Sequence, residues 1–290
     1  MQKLIKNISK DKLSALMLIV PLKRFEEKID YPIHPNYEMN KYEGFNEKEY
    51  YLHHNLSLRK KYKYIAAIDL EDYGYVVDEE DSDLYKQKNN EGSGKIYLEE
   101  ANQSLRNHEI SINGSINGSG MDMSSGNEPI VVLRGLGIPH KEKLTLFQEL
   151  LMDAYLLEKE DNFKVSFFGY FSAIESFVTS QLETVQKLIP KELHESLERL
   201  QLDQKISIVA KHAYETEDLQ TIKLWGDLSG NFRELKFKRN KIAHGQENLA
   251  IKQDDLNLIF GVICLLVNLS KKFSDITELR KSLYPPKKRR

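Results

Sequence analysis

The stretch Pro129-Ile-Val-Val-Leu-Arg-Gly-Leu-Gly-Ile-Pro-His-Lys-Glu-Lys-Leu-Thr-Leu-Phe-Gln-Glu-Leu-Leu151 changes period part-way along, and the change decides the fold class. Its first residues, 129–133, are short, β-branched and apolar, which suits a strand. From Lys141 onward the apolar residues Leu144, Phe147, Leu151, Ala154 and Leu157 recur at three- and four-residue steps, the spacing of one buried helical stripe. Gly135-Leu-Gly-Ile-Pro139 punctuates the two patterns, so a domain boundary is placed near His140. The expected architecture is α+β: a strand-rich domain over residues 1–139, then an all-α bundle over 140–290.

Upstream, Tyr62-Lys-Tyr-Ile-Ala-Ala-Ile-Asp-Leu70 and Tyr73-Gly-Tyr-Val-Val-Asp78 are aromatic and β-branched, and shorter runs of the same kind fall at 95–99 and 109–112. An acidic run, Asp78-Glu-Glu-Asp-Ser-Asp83, and a duplicated Ile-Asn-Gly-Ser at Ile112 and Ile116 bound them. Asn-Gly favours tight turns because both residues tolerate positive φ, so 113–127 is expected to be a loop. Tyr31, Tyr37, Tyr42, Tyr50 and Tyr51 fit either a strand-domain core or a surface that stacks bases.

Downstream, Val165, Phe168, Phe171, Ile174, Val178, Leu182 and Val185 mark a second long helix, which Pro190 ends. A third helix is expected over Leu193, Leu197, Leu200, Ile206, Val209 and Ala210, and a shorter one over 218–228 that Ser229-Gly230 stops. A fifth covers 231–244 with Gly245 as its cap, and the last runs from Asp254 or Asp255 to Phe273.

Composition narrows the function classes. The 290 residues hold 42 Lys+Arg, 44 Asp+Glu and 40% hydrophobic residues, a folded chain long enough for two domains. Residues 1–140 carry 18 basic against 22 acidic residues and the remainder 24 against 22, too even for a broad nucleic-acid footprint. Any such contact must be local, as at the tail Lys287, Lys288, Arg289 and Arg290. Cys264 is the single cysteine, so an intramolecular disulfide and a cysteine zinc site are excluded and a reducing, cytoplasmic setting is expected. No run approaches the roughly 18 apolar residues that span a bilayer. Pro21, Lys23 and Arg24 stand where a signal peptide would carry small residues, so neither a leader nor a membrane partner is expected.

The segment richest in chemistry is Lys236-Phe-Lys-Arg-Asn-Lys-Ile-Ala-His-Gly245. On a helix Asn240 and His244 share a face, while Leu235 and Ile242 point at the bundle. Arg239 lies about 140° from His244, yet its long side chain reaches the rim of that face. Arginine, asparagine and histidine supply a fixed cation, a neutral hydrogen-bonder and an imidazole, a set suited to a phosphodiester. Lys238 and Lys241 would add cationic contacts to a phosphate backbone. The same residues equally fit a solvated helix end whose cations complement the dipole. Adjacent His53 and His54 point to opposite faces of a strand and complete no metal site. Gly92-Ser-Gly-Lys95 lacks the first glycine of a phosphate loop, with Asn89 in its place, and Ile96 stands where Ser or Thr would hold magnesium. Neither cofactor nor metal is expected.

Arg239-Asn240-Lys241-Ile242-Ala243-His244 resembles the Arg-x4–6-His motif, in its Arg-Asn-x-x-x-His form, of the HEPN superfamily (higher eukaryotes and prokaryotes nucleotide-binding). Its setting is similar too: the motif precedes the final helix and follows an aromatic-rich helix start with an acidic residue, here Phe167-Phe-Gly-Tyr-Phe-Ser-Ala-Ile-Glu-Ser-Phe177 with Glu175. The Apea-like HEPN proteins, which carry a separate N-terminal domain and act in defence against phage, are the most similar branch. The resemblance covers about residues 141–280. It implies a metal-independent endoribonuclease, a toxin or abortive-infection effector, with Arg239, Asn240 and His244 catalytic and Glu175 supporting. RNA, tRNA among the candidates, would be the substrate, a second copy of the chain the partner in a homodimer, and a phage-derived trigger or an antitoxin the regulator. The alternative is a non-catalytic HEPN-like dimerisation or nucleotide-binding module, with the function in the N-terminal domain.

Overall fold

In the computed structural model the described residues are 12–30, 47–69, 73–75, 95–119, 129–222, 225–245 and 250–269. They form an α+β chain in which antiparallel strands precede a run of helices. Two compact units result, one of strands over Leu22–Glu142 and one of helices.

The strands are β1 (Lys23–Asp30), β2 (Glu47–Ser57), β3 (Tyr62–Asp69), β4 (Tyr73–Tyr75), β5 (Lys95–Ser104), β6 (Glu109–Ser119) and β7 (Pro129–Pro139). β7 is the centre of one sheet, with β1 on one edge, from Lys23 opposite Gly137 to Asp30 opposite Ile130, and β3 and β4 on the other. β6 is the centre of the second sheet, between β2 and β5. The turn expected from the Ile-Asn-Gly-Ser repeats does not form. Asn113 pairs with His53, Gly114 with Leu52 and Asn117 with Glu49, because a central strand with ladders on both edges outweighs the local turn preference. The expected loop at 113–127 is therefore strand as far as Ser119.

Gly135-Leu-Gly-Ile-Pro139 is likewise not punctuation but the second half of β7. A Cβ at Gly135 would fall on the Phe25 ring and 2.7 Å from the Ala67 carbonyl oxygen, and one at Gly137 would lie 2.9 Å from the Tyr64 carbonyl. The space is taken by Phe25 of β1 and Tyr62 of β3, whose rings stack at 4.5 Å. The glycines are thus a packing requirement inside a strand. Gly135→Ala is expected to destabilise this unit by about 1–3 kcal/mol through overpacking. Urea denaturation of the full chain tests this, and an unchanged midpoint would show that the ring yields freely. The two sheets meet where His108 Nε2 donates to the Lys63 carbonyl at 3.0 Å, and burial lowers the pKa of that imidazole. Leu58, Ile65, Ile110, Leu133 and Ile138 fill the core of the unit.

The helical unit contains α1 (Lys12–Ile19), α2 (Leu146–Lys159), α3 (Phe163–Gln186), α4 (His194–Glu198), α5 (Leu202–Tyr214), α6 (Trp225–Ala243) and α7 (Gln253–Leu269), with 3-10 turns at Lys191–Leu193 and Leu219–Thr221. Residues 12–21 cluster with these helices and not with the strands, whereas the sequence assigns all of 1–139 to one strand-rich domain. The cause is α1 itself, Lys-Leu-Ser-Ala-Leu-Met-Leu-Ile, which buries Ala15 and Leu16. The Gln148 amide ties it down, donating from Nε2 to the Ile19 carbonyl at 2.8 Å while Oε1 accepts from Thr145 N at 3.0 Å in a capping box.

The third expected helix is interrupted, since Gln201 caps a new start at α5 in a box with Gln204. Ser229-Gly230 breaks nothing. α6 runs straight through it because Leu228, Phe232 and Leu235 are buried, and that packing offsets the roughly 1 kcal/mol cost of a helical glycine. The helix stops where expected: Gly245, at φ +78°, donates its N–H to the Ile242 carbonyl at 3.1 Å. The aromatic start of α3 is core, with Phe167 and Phe171 edge-to-face at 5.3 Å and Tyr170 against Phe260 of α7 at 5.9 Å. Among the described residues no helix is long and apolar enough to cross a membrane. The acidic run at 78–83, the end of the last helix at Phe273 and the tail Lys287 to Arg290 lie outside the described residues.

Candidate active site at the end of α6

The C-terminal turns of α6 carry Arg239, Asn240 and His244. Arg239 Nη1 donates to Asn240 Oδ1 at 3.3 Å, which joins the two side chains at the rim. His244 donates its backbone N–H to the Asn240 carbonyl at 3.0 Å, the last helical bond, and is exposed. Both neighbouring lysines have internal partners. Lys238 is ion-paired with Asp255 at the start of α7, and the Lys241 ammonium lies 4.3 Å from the centre of the Phe237 ring. Glu175 is exposed on α3, and no ion pair joins it to Arg239 among the described residues.

α5, the turn that follows it and α6 surround a cavity of about 710 Å³. Along the α6 wall one stripe, Trp225, Leu228, Phe232, Lys236 and Asn240, recurs at three- and four-residue steps, with Ser229, Arg233 and Phe237 beside it, and His244 is the next step of that stripe beyond the lining. Ile206, Leu228 and Phe232 make the apolar part. Two of the cavity's cations are neutralised: Lys236 Nζ lies 2.8 Å from Asp203 Oδ1 and 2.9 Å from Gln201 Oε1, and Lys211 lies 3.0 Å from Glu217. The hydrogen bond from Lys236 lowers the Asp203 pKa. Arg233, also lining the cavity, is exposed and has no ion-pair partner among the described residues. Arg233 and Phe237 escape a reading by motif. The signal for Phe237 is its phase, since it lies about 200° from buried Leu235 and so off the core stripe.

A second charged cluster lies in the core. Lys12 Nζ and Glu158 Oε1 are 2.5 Å apart, Tyr170 Oη donates to Glu158 Oε2 at 2.7 Å, and Gln253 Nε2 donates to Glu158 Oε1 at 2.5 Å. Desolvation lowers the Lys12 pKa against the pull of Glu158, and burial pushes the nearby Cys264 thiol up to about 12, which leaves it without thiolate character. Lys12 and Glu158 are each 7% exposed, so the cluster is a core network rather than a site open to substrate. Among the described residues no group of three or more His, Cys, Asp or Glu is placed to hold a metal ion. Comparison of the chain with protein-family models, curated proteins and solved structures finds no match.

Proposed function

We propose that the helical unit is a metal-independent endoribonuclease of HEPN type, acting in the cytoplasm as a toxin or abortive-infection effector and working as a two-fold homodimer. The observation that supports this most is the placement of Asn240 and His244 on the stripe that borders the cavity, with the Arg239 guanidinium hydrogen-bonded to Asn240 at 3.3 Å. RNA brings its own nucleophile, the 2′-hydroxyl. The protein must then take that proton, stabilise the charge on the phosphorane and protonate the leaving 5′-oxygen. His244 is the proton-transfer group, and Arg239 stabilises the phosphorane through its forked donors. One imidazole does not serve as base and acid in the same step. A second protomer supplies the other His244, so the two motifs face one cleft.

The test is cleavage of a labelled RNA by the full chain in excess EDTA, with analysis of the product ends. Expected are a 2′,3′-cyclic phosphate and a 5′-hydroxyl, and resistance of a substrate with 2′-deoxyribose at the cut. Products with a 5′-phosphate, or activity that EDTA removes and magnesium restores, would refute the mechanism.

A further inference from the structure

We infer that the cavity between α5 and α6 is a nucleobase pocket, which seats one unpaired nucleotide of the RNA beside the cleaved phosphodiester, with Phe237 as its stacking face and Arg233 as its phosphate contact. The inference rests on the ribonuclease reading and specifies its substrate as unpaired RNA. A volume of about 710 Å³ is in the range of small-molecule sites. The apolar part, Ile206, Leu228 and Phe232, suits a base plane. Gln204, Gln220 and Asn240 bring amide groups, each both donor and acceptor, to the same lining, as recognition of a base edge requires.

Phe237 is 62% exposed, and an isolated exposed aromatic needs no explanation. This one lines the cavity three residues before Asn240 and four after Arg233, and carries the Lys241 ammonium over its ring. Arg233 is the cation of the lining left without an ion-pair partner among the described residues, whereas Lys211 and Lys236 are matched by acids. An aromatic face beside an unmatched cation is how single-stranded nucleic acid is held without duplex geometry. A base inside a duplex stack cannot enter such a recess until it is extruded.

The experiment uses the full chain carrying His244→Ala, in EDTA, and a 5′-fluorescein-labelled ten-nucleotide single-stranded RNA without self-complementarity, set beside the same strand in a duplex. Fluorescence anisotropy is expected to show tighter binding of the single strand. Adding Phe237→Ala should weaken it about ten-fold, and Phe237→Trp should restore it. Arg233→Gln should weaken binding and flatten its salt dependence. Unchanged affinity in both Phe237→Ala and Arg233→Gln, or a duplex bound as tightly as the strand, would overturn the pocket. The two readings fail separately. If otherwise wild-type protein cuts RNA through His244 while Phe237→Ala alters neither binding nor cleavage, the pocket is wrong and the ribonuclease stands. Binding that depends on Phe237 in a protein that never cuts RNA would support the pocket without the enzyme.

Discussion

Replacing Glu158 by alanine is expected to destabilise the helical unit by about 3–5 kcal/mol, the cost of removing one partner from a buried ion pair. Glu158 accepts from three elements at once: Lys12 of α1, Tyr170 of α3 and Gln253 of α7. Without it the Lys12 ammonium remains in the core between the Tyr170 and Phe260 rings, 5.8 and 5.4 Å from their centres. Ring faces attract a cation but replace a carboxylate only in small part. Glu158→Gln separates charge from hydrogen bonding, since the amide oxygen still accepts from Tyr170 while the counter-charge is gone. Its loss should approach that of alanine. Lys12→Met combined with Glu158→Leu removes both charges and should recover much of the stability, because apolar side chains of similar size avoid the desolvation cost. Urea denaturation followed by Trp225 fluorescence reads all three. Wild-type stability in Glu158→Gln would show that the pair contributes no net charge stabilisation.

The same cluster shows where sequence stops being informative. Glu158 falls seven residues after Leu151, on the apolar stripe of α2, but a lone carboxylate there reads as the solvated edge of the helix until Lys12 is brought to it from the other side of the strand unit in sequence. Period alone located α2 and α3, because each has a stripe that repeats over several turns. It missed β1, Lys-Arg-Phe-Glu-Glu-Lys-Ile-Asp, whose charged residues leave few apolar positions to alternate, and it mistook the interiors of β6 and β7 for turns because neighbouring strands determine those conformations. At the candidate site the split is similar. Arg239, Asn240 and His244 are legible because they lie within one short segment, whereas the cavity beside them needs α5 as its second wall, and no local pattern announces that approach.

His244→Ala is expected to reduce RNA cleavage by about 10²- to 10⁴-fold, the range for loss of a general acid or base. The residue is exposed at the end of α6, after the last buried position of the helix, Ile242, so circular dichroism and the unfolding midpoint should not move. Arg239→Ala should give a loss of similar order, and Arg239→Lys should restore little, since an ammonium lacks the planar fork that spans two phosphorane oxygens. Asn240→Ala should cost less, because Asn240 acts by holding the guanidinium at 3.3 Å rather than by moving a proton. If the two chains share one cleft that needs both imidazoles, wild-type protein mixed with excess inactive His244→Ala protein forms heterodimers holding a single His244, and cleavage should fall more than in proportion to the wild-type homodimer's dilution. Full cleavage by His244→Ala would end the enzyme reading outright. Wild-type rates from a protein that is monomeric at micromolar concentration would end the shared cleft alone, and the second proton transfer would then have to come from a group other than His244 on the same chain.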